Sequence, residues 1–225
     1  MRRLLLSAAL LLLVVGLVPT ALANDDGGSQ TVTMVSGNGS PPGRDSFNEF
    51  STDGGVTWDQ AYIVDGHPAY ANPIAGSEWI SIDANGGFPV TPGLEVRYRR
   101  VFDLPRRCGA AALSVILHVD NDAGVFLNGV AFGSTPPGPI FSNFEDPPEG
   151  PFTTTGPFQK SGNLLEFRTN DQGVVTGLDY EATLTCARAD DDDDDDPDDD
   201  DDDDDDGDKD KDDDDEDEGD EPDDD

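Results

Sequence analysis

Leu113-Ser114-Val115-Ile116-Leu117-His118-Val119-Asp120 and Leu178-Asp179-Tyr180-Glu181-Ala182-Thr183-Leu184-Thr185-Cys186 decide the fold of this chain. In the first run Leu113, Val115, Leu117 and Val119 oppose Ser114, Ile116, His118 and Asp120. In the second, Leu178, Tyr180, Ala182, Leu184 and Cys186 oppose Asp179, Glu181, Thr183 and Thr185. A repeat of two is that of a β-strand, whose successive side chains point to opposite faces. Working outward, Glu95 to Leu104 alternates in the same way, with Val96, Tyr98, Arg100 and Phe102 on one side, and Asn163 to Thr169 carries Leu165 and Phe167 on one side. A polar turn from Asp120 to Gly124 leads to Val125-Phe126-Leu127, which Asn128-Gly129 closes. Asn-Gly is a strong hairpin signal because both positions tolerate positive φ. Thr31 to Val35 is a short strand, whereas residues 24–29 and 36–47, rich in Gly, Ser, Pro, Asn and Asp, read as loop. No stretch carries helical periodicity with caps, so the expected class is all-β, one two-sheet sandwich over residues 30–188.

The chain opens Met1-Arg2-Arg3, runs apolar from Leu4 to Val18 and reaches Ala21-Leu22-Ala23. A basic start, an apolar run too short to span a bilayer and an Ala-x-Ala site predict a signal peptide, residues 1–23, cleaved after Ala23. The mature chain is then expected to be secreted, with no membrane span. Two cysteines, Cys108 and Cys186, in an exported chain predict one disulfide. The net charge of −37 is unevenly placed: residues 190–225 hold thirty acidic and two basic residues, which leaves −9 for residues 1–189. A chain without a basic footprint is not expected to bind nucleic acid, whose phosphates demand one.

The runs Trp79-Ile80-Ser81, Tyr98-Arg99-Arg100-Val101-Phe102-Asp103-Leu104-Pro105, Val125-Phe126-Leu127-Asn128-Gly129, Ser161-Gly162-Asn163-Leu164-Leu165-Glu166-Phe167 and Thr176-Gly177-Leu178-Asp179-Tyr180-Glu181-Ala182 resemble the galactose-binding-domain-like jelly rolls. That group includes carbohydrate-binding modules and discoidin-type domains. The resemblance spans roughly residues 30–186 and implies a jelly-roll sandwich, sugar or surface-polymer binding through end loops or a sheet face, and often a structural calcium ion. It is a fold-level analogy. Ser51-Thr52-Asp53-Gly54-Gly55-Val56-Thr57-Trp58 is similar to the Asp-box of sialidase-like propellers. The motif occurs once and the chain is too short for a propeller, so it predicts a local hairpin with Trp58 packed beneath it.

Asp179 and Glu181, two apart on a strand, set their Cα atoms about 7 Å apart. Three readings fit that pair: a solvated strand face, calcium ligation through clustered oxygens, and a glycosidase acid and nucleophile. Asp122, with Asp120 and Asn121, reads as a turn former or a loop contact to ligand. Phe141, Phe144 and Phe152, in a region rich in Pro and Gly, read either as rings that plug the core or as a surface that stacks on sugar, and Tyr70 carries the same two readings. His67 and His118 have no metal-binding or catalytic motif around them and read as structural. The composition of residues 189–225 predicts a disordered acidic tail able to bind divalent cations or mineral. Its Asp202-x-Asp204-x-Asp206-Gly207 spacing lacks the twelfth-position Glu of a calcium loop. Two functions follow as expectations: a secreted, non-catalytic module for extracellular carbohydrate, or a surface or matrix protein that works through its tail.

Overall fold

The computed structural model describes residues 28–87, 91–137 and 143–189. The expected signal peptide, Phe141 and the acidic stretch from residue 190 lie outside them. Within the described residues run eleven strands: β1 (Gln30–Val35), β2 (Gly43–Ser51), β3 (Asp59–Ile63), β4 (Ile80–Ser81), β5 (Leu94–Phe102), β6 (Cys108–Asp120), β7 (Asp122–Leu127), β8 (Val130–Ser134), β9 (Glu149–Thr154), β10 (Asn163–Asp171) and β11 (Gly177–Arg188). All pairings are antiparallel, in the order β8-β7-β10-β5-β2-β3-β4-β11-β6-β9, with β1 on the edge of β11 beside β4.

The alternation in the sequence explains the layering. Val96 and Tyr98 of β5, Leu165 and Phe167 of β10 and Val125 and Leu127 of β7 face Leu113, Val115, Leu117 and Val119 of β6 and Leu178, Tyr180, Ala182 and Leu184 of β11, all at most 1% exposed. Phe167 of one layer meets Tyr180 of the other with ring centroids 4.6 Å apart. β2 and β3 bridge the layers along one seam. At the other seam Gly133 of β8 lies so close to Phe152 of β9 that a Cβ there would fall 2.6 Å from the ring. The sandwich is therefore nearly closed.

Several expectations change. Residues 43–47, expected as loop, form the start of β2, where buried Asp45 organises its own turn by accepting from the backbone N–H of Gly37 (2.7 Å) and Phe47 (2.9 Å). Asp120 to Gly124, expected as a polar turn, is mostly strand: β6 runs to Asp120 and pairs with β11, β7 begins at Asp122 and pairs with β10, and the chain crosses between layers at Asp120-Asn121. The Asn128-Gly129 hairpin does form, with φ of 51° and 80° between the paired Leu127 and Val130. Cys108 and Cys186 are bonded, their Cα atoms 5.2 Å apart on the neighbouring strands β6 and β11.

Two of the three arginines of β5 are neutralised locally. Arg99 Nε lies 2.6 Å from Glu49 and Arg97 Nε 2.7 Å from Glu95, while on the neighbouring strand β10 Arg168 Nε lies 2.5 Å from Glu166. Arg99 also stacks over Trp58 at 4.0 Å and Arg168 over Phe126 at 4.0 Å. Such partly exposed pairs add little stability each, but they leave this outer face without a free basic patch.

A candidate binding cleft at one pole of the sandwich

The outer face of β6 and β11, expected to be solvated, carries a second core. His118 and Asp179 sit opposite each other in register, and the β3–β4 connection folds over both. Trp79 lies on His118 with ring centroids 5.9 Å apart and stacks on Tyr70 at 4.2 Å, and Phe144 completes the cluster with Val64. Asp179 is fully buried. Its Oδ1 accepts from the hydroxyls of Ser36 (3.1 Å) and Ser77, and its Oδ2 accepts from the Ile74 N–H at 2.8 Å and lies 3.3 Å from His118 Nδ1. The reading of Asp179 as an outward polar residue is thus corrected. It is a buried clasp that ties the β3–β4 connection and Ser36 to β11.

Glu181, half-buried, takes no part in that set, and its Oε1 accepts from Thr183 at 3.4 Å. With both Asp179 oxygens engaged by protein groups, the pair does not fit a calcium ion. Among the described residues no group of three or more His, Cys, Asp or Glu gathers. Nor does the pair fit an acid and a nucleophile, because such groups must reach a substrate in a cleft.

The pole where β6, β10 and β11 meet their connections is hollowed. One hollow of about 180 Å³ is lined by His67, Ala69, Tyr70, Asp120, Asn121, Phe144, Gln172, Gly173, Val174 and Val175. Two further hollows, of about 220 and 350 Å³, adjoin it by sharing His67 and Tyr70. Ligand sites of proteins pair such apolar walls with a few convergent polar groups. Here the wall is Tyr70, Phe144, Val174 and Val175, and the polar groups are Asp120, Asn121 and Gln172.

Two of these residues are held at an energetic cost. Asp120 is 5% exposed, and desolvation pushes its carboxyl up to about 7, with the neighbouring Asp171 adding to the shift. The Tyr70 hydroxyl donates to Asp120 Oδ2 at 2.8 Å, and burial together with that carboxylate raises Tyr70 far above the ordinary phenol range. Asp171, also raised by desolvation, receives the Gly173 N–H at 2.5 Å. Val174 adopts φ +88° and is 60% exposed, a conformation that strains a β-branched residue. Strain and desolvated charge of this kind concentrate at functional sites.

Of the residues singled out in the sequence, the structure brings Tyr70 and Phe144 together at this cleft. Asp122 stands apart on β7, where it accepts from Asn170 Nδ2 at 3.4 Å. Phe152 belongs to β9 and packs on the main core, so its reading as a stacking surface is corrected. Phe141 lies outside the described residues. Gln172 and Val174 were missed: the short segment Gln172-Gly173-Val174-Val175 between two strong strands was the available signal, but no sequence feature announces a positive φ at valine. His67, read as structural, lines all three hollows.

Elsewhere the β2–β3 turn is held by Asp53, whose oxygens accept from the Thr57 hydroxyl (2.7 Å) and the backbone N–H of Val56 and Thr57. These bonds, the Thr57 hydroxyl first, keep its carboxyl well below the usual carboxylate range.

No known protein family matches the chain, and no curated protein is similar in sequence. Among solved structures, a β-glucuronidase of an uncultured Clostridium species is similar over 73% of this chain, at 14% identity and a TM-score of 0.36. The chain spans 30% of that enzyme. The K1 cleaved adhesin domain of Lys-gingipain from Porphyromonas gingivalis W83 is similar over 71% of this chain and 99% of its own length, at 17% identity and a TM-score of 0.35. Likenesses at those scores assign neither a fold family nor a function.

Proposed function

We propose that this chain is a secreted, non-catalytic binding module whose ligand is an extracellular carbohydrate held at the polar cleft. The observation that carries the reading is the cleft itself, where the apolar wall of Tyr70, Phe144 and Val174 meets Asp120, Asn121 and Gln172. A pyranose has the same two-sided character, with apolar ring faces and a rim of hydroxyls that need hydrogen-bonding partners. The resemblance to galactose-binding-like jelly rolls supports the same reading by analogy. Export is supported by the disulfide, which oxidising compartments favour. The non-catalytic part is supported by the sealing of Asp179 and His118 beneath Trp79, out of reach of a substrate.

The test is a glycan array probed with the full chain, repeated with Gln172→Ala and with Val174→Arg, which fills the cleft. Both substitutions lie on a connection rather than in a strand and leave the core untouched. The expected result is binding to a defined set of glycans that both variants weaken at least tenfold. Binding to no glycan, or binding that neither variant alters, overturns the proposal.

A further inference from the structure

Several carboxylates of the described residues are provided for, whereas Asp120 and the buried Asp171, one of whose oxygens has no hydrogen-bond partner, face no cation. Glu49, Glu95 and Glu166 each face an arginine, and Asp45 and Asp179 are ringed by donors. Of the two, Asp120 lines the cleft. It is buried in the cleft wall and receives the hydroxyl of Tyr70 and the side chain of Asn121, yet among the described residues no lysine or arginine lines any of the three hollows. Asp171 is close enough to add a second negative field, and Asp65 lines the adjoining hollows. A desolvated carboxylate without a cation is costly, and the cost is evident in the upward displacement of its proton affinity.

The geometry points to a ligand that brings the cation with it: we infer that the cleft selects glycans bearing a free amine, the ammonium seating against Asp120 while the ring lies along Tyr70 and Val174. The inference rests on the carbohydrate reading and narrows it. An ammonium–carboxylate contact is a charge-assisted hydrogen bond, stronger than a neutral one. The same field disfavours uronic and sialic acids, whose carboxylates would meet Asp120 and Asp65. N-acetylation removes the charge and the preference together.

The experiment is calorimetric titration of the full chain with a glucosamine oligomer, its N-acetylated counterpart and an oligogalacturonate. Salt of about 0.3 M shortens the screening length so that the acidic residues 190–225 contribute little. The expected result is binding of the free-amine oligomer at least tenfold tighter than the acetylated one, and none of the uronate. Asp120→Asn should abolish that preference, and Val174→Lys, which supplies an ammonium at the rim, should weaken the amine ligand at least as much. Circular dichroism confirms that both variants fold.

Equal binding of amine and acetylated oligomers, with both weakened by Gln172→Ala, overturns the inference while the carbohydrate reading stands. Amine binding that Asp120→Asn leaves unchanged overturns it too, because the acidic tail is then the binder. If no glycan of any kind binds, both fall. A calcium titration completes the set: if calcium raises the melting temperature of the wild type and not of Asp120→Asn, while no amine binds, the missing cation is a metal ion and the inference fails.

Discussion

If Asp120 is as costly as its surroundings indicate, replacing it with Asn should stabilise the protein, and only above a particular pH. Moving a carboxyl group from its ordinary 3.8 to about 7 corresponds to about 4 kcal/mol at about 1.4 kcal/mol per pH unit. The sign follows from proton binding. Folded Asp120 holds its proton more tightly than unfolded Asp120, so folding takes up a proton between about pH 4 and pH 7, and stability falls as pH rises through that window. Asp171, raised in the same direction, steepens the fall. Asn keeps an acceptor for the Tyr70 hydroxyl but brings an N–H₂ that needs a partner, at about 1–2 kcal/mol. The net expectation for Asp120→Asn is a gain of about 2 kcal/mol at pH 8, or about 5 °C in melting temperature for a domain of this size. At pH 4 the gain should vanish or reverse. Thermal unfolding of wild type and variant at pH 4, 6 and 8, at constant ionic strength, reads the difference directly, and the acidic tail cancels because both chains carry it. A variant that is less stable by the same amount at every pH would refute the reasoning.

Four further outcomes are expected. Val174→Gly relieves the strained φ and should raise stability by about 1 kcal/mol while weakening ligand, so improved stability with unchanged affinity would remove Val174 from the site. Asp179→Ala strands the donors of Ser36, Ser77 and Ile74 in a buried setting. It should cost about 3 kcal/mol and open the 64–79 connection to limited proteolysis, which mass spectrometry of the fragments locates. Gly37→Ala should cost at least about 2 kcal/mol in chemical denaturation, since Gly37 sits at φ +66° and a Cβ would meet the Glu78 carbonyl oxygen at 2.6 Å. Replacing both cysteines, or reducing them in the folded protein, should lower the unfolding free energy by about 4 kcal/mol on the loop-entropy scale for a separation of 78 residues. An unchanged urea midpoint would contradict this.

The strands β5, β6, β10 and β11 were legible because each sends alternate residues into the main core, so their apolar residues repeat every second position. β2 and β9 were not. Gly-Arg-Asp-Ser-Phe-Asn-Glu-Phe-Ser and Glu-Gly-Pro-Phe-Thr-Thr lie at the seams of the sandwich, where little apolar surface is covered and polar residues satisfy turns instead. Asp179 was misread for a different reason. What buries it is a connection more than a hundred residues earlier in the chain, and a strand's own periodicity carries no trace of what folds over its outer face. The cleft was half visible: aromatic Tyr70 and Phe144 stood out amid irregular sequence, but the convergence of Asp120 with Gln172 and Val174 depends on the β6–β7 crossing between layers, which the sequence presented as a simple turn.

The pairing of β1 with β11 has a practical consequence. Gln30 stands opposite Cys186, and Gly177, at the other end of β11, stands opposite Asp120. The first and last strands therefore enter and leave the sandwich at the disulfide pole, with the cleft at the far one. A fluorophore, surface anchor or second module joined ahead of Gln30 or after Arg188 would hold the domain by its base and present the cleft outward. Orientation-controlled immobilisation at Gln30 or Arg188 should then preserve ligand capacity, where random coupling through side chains would not.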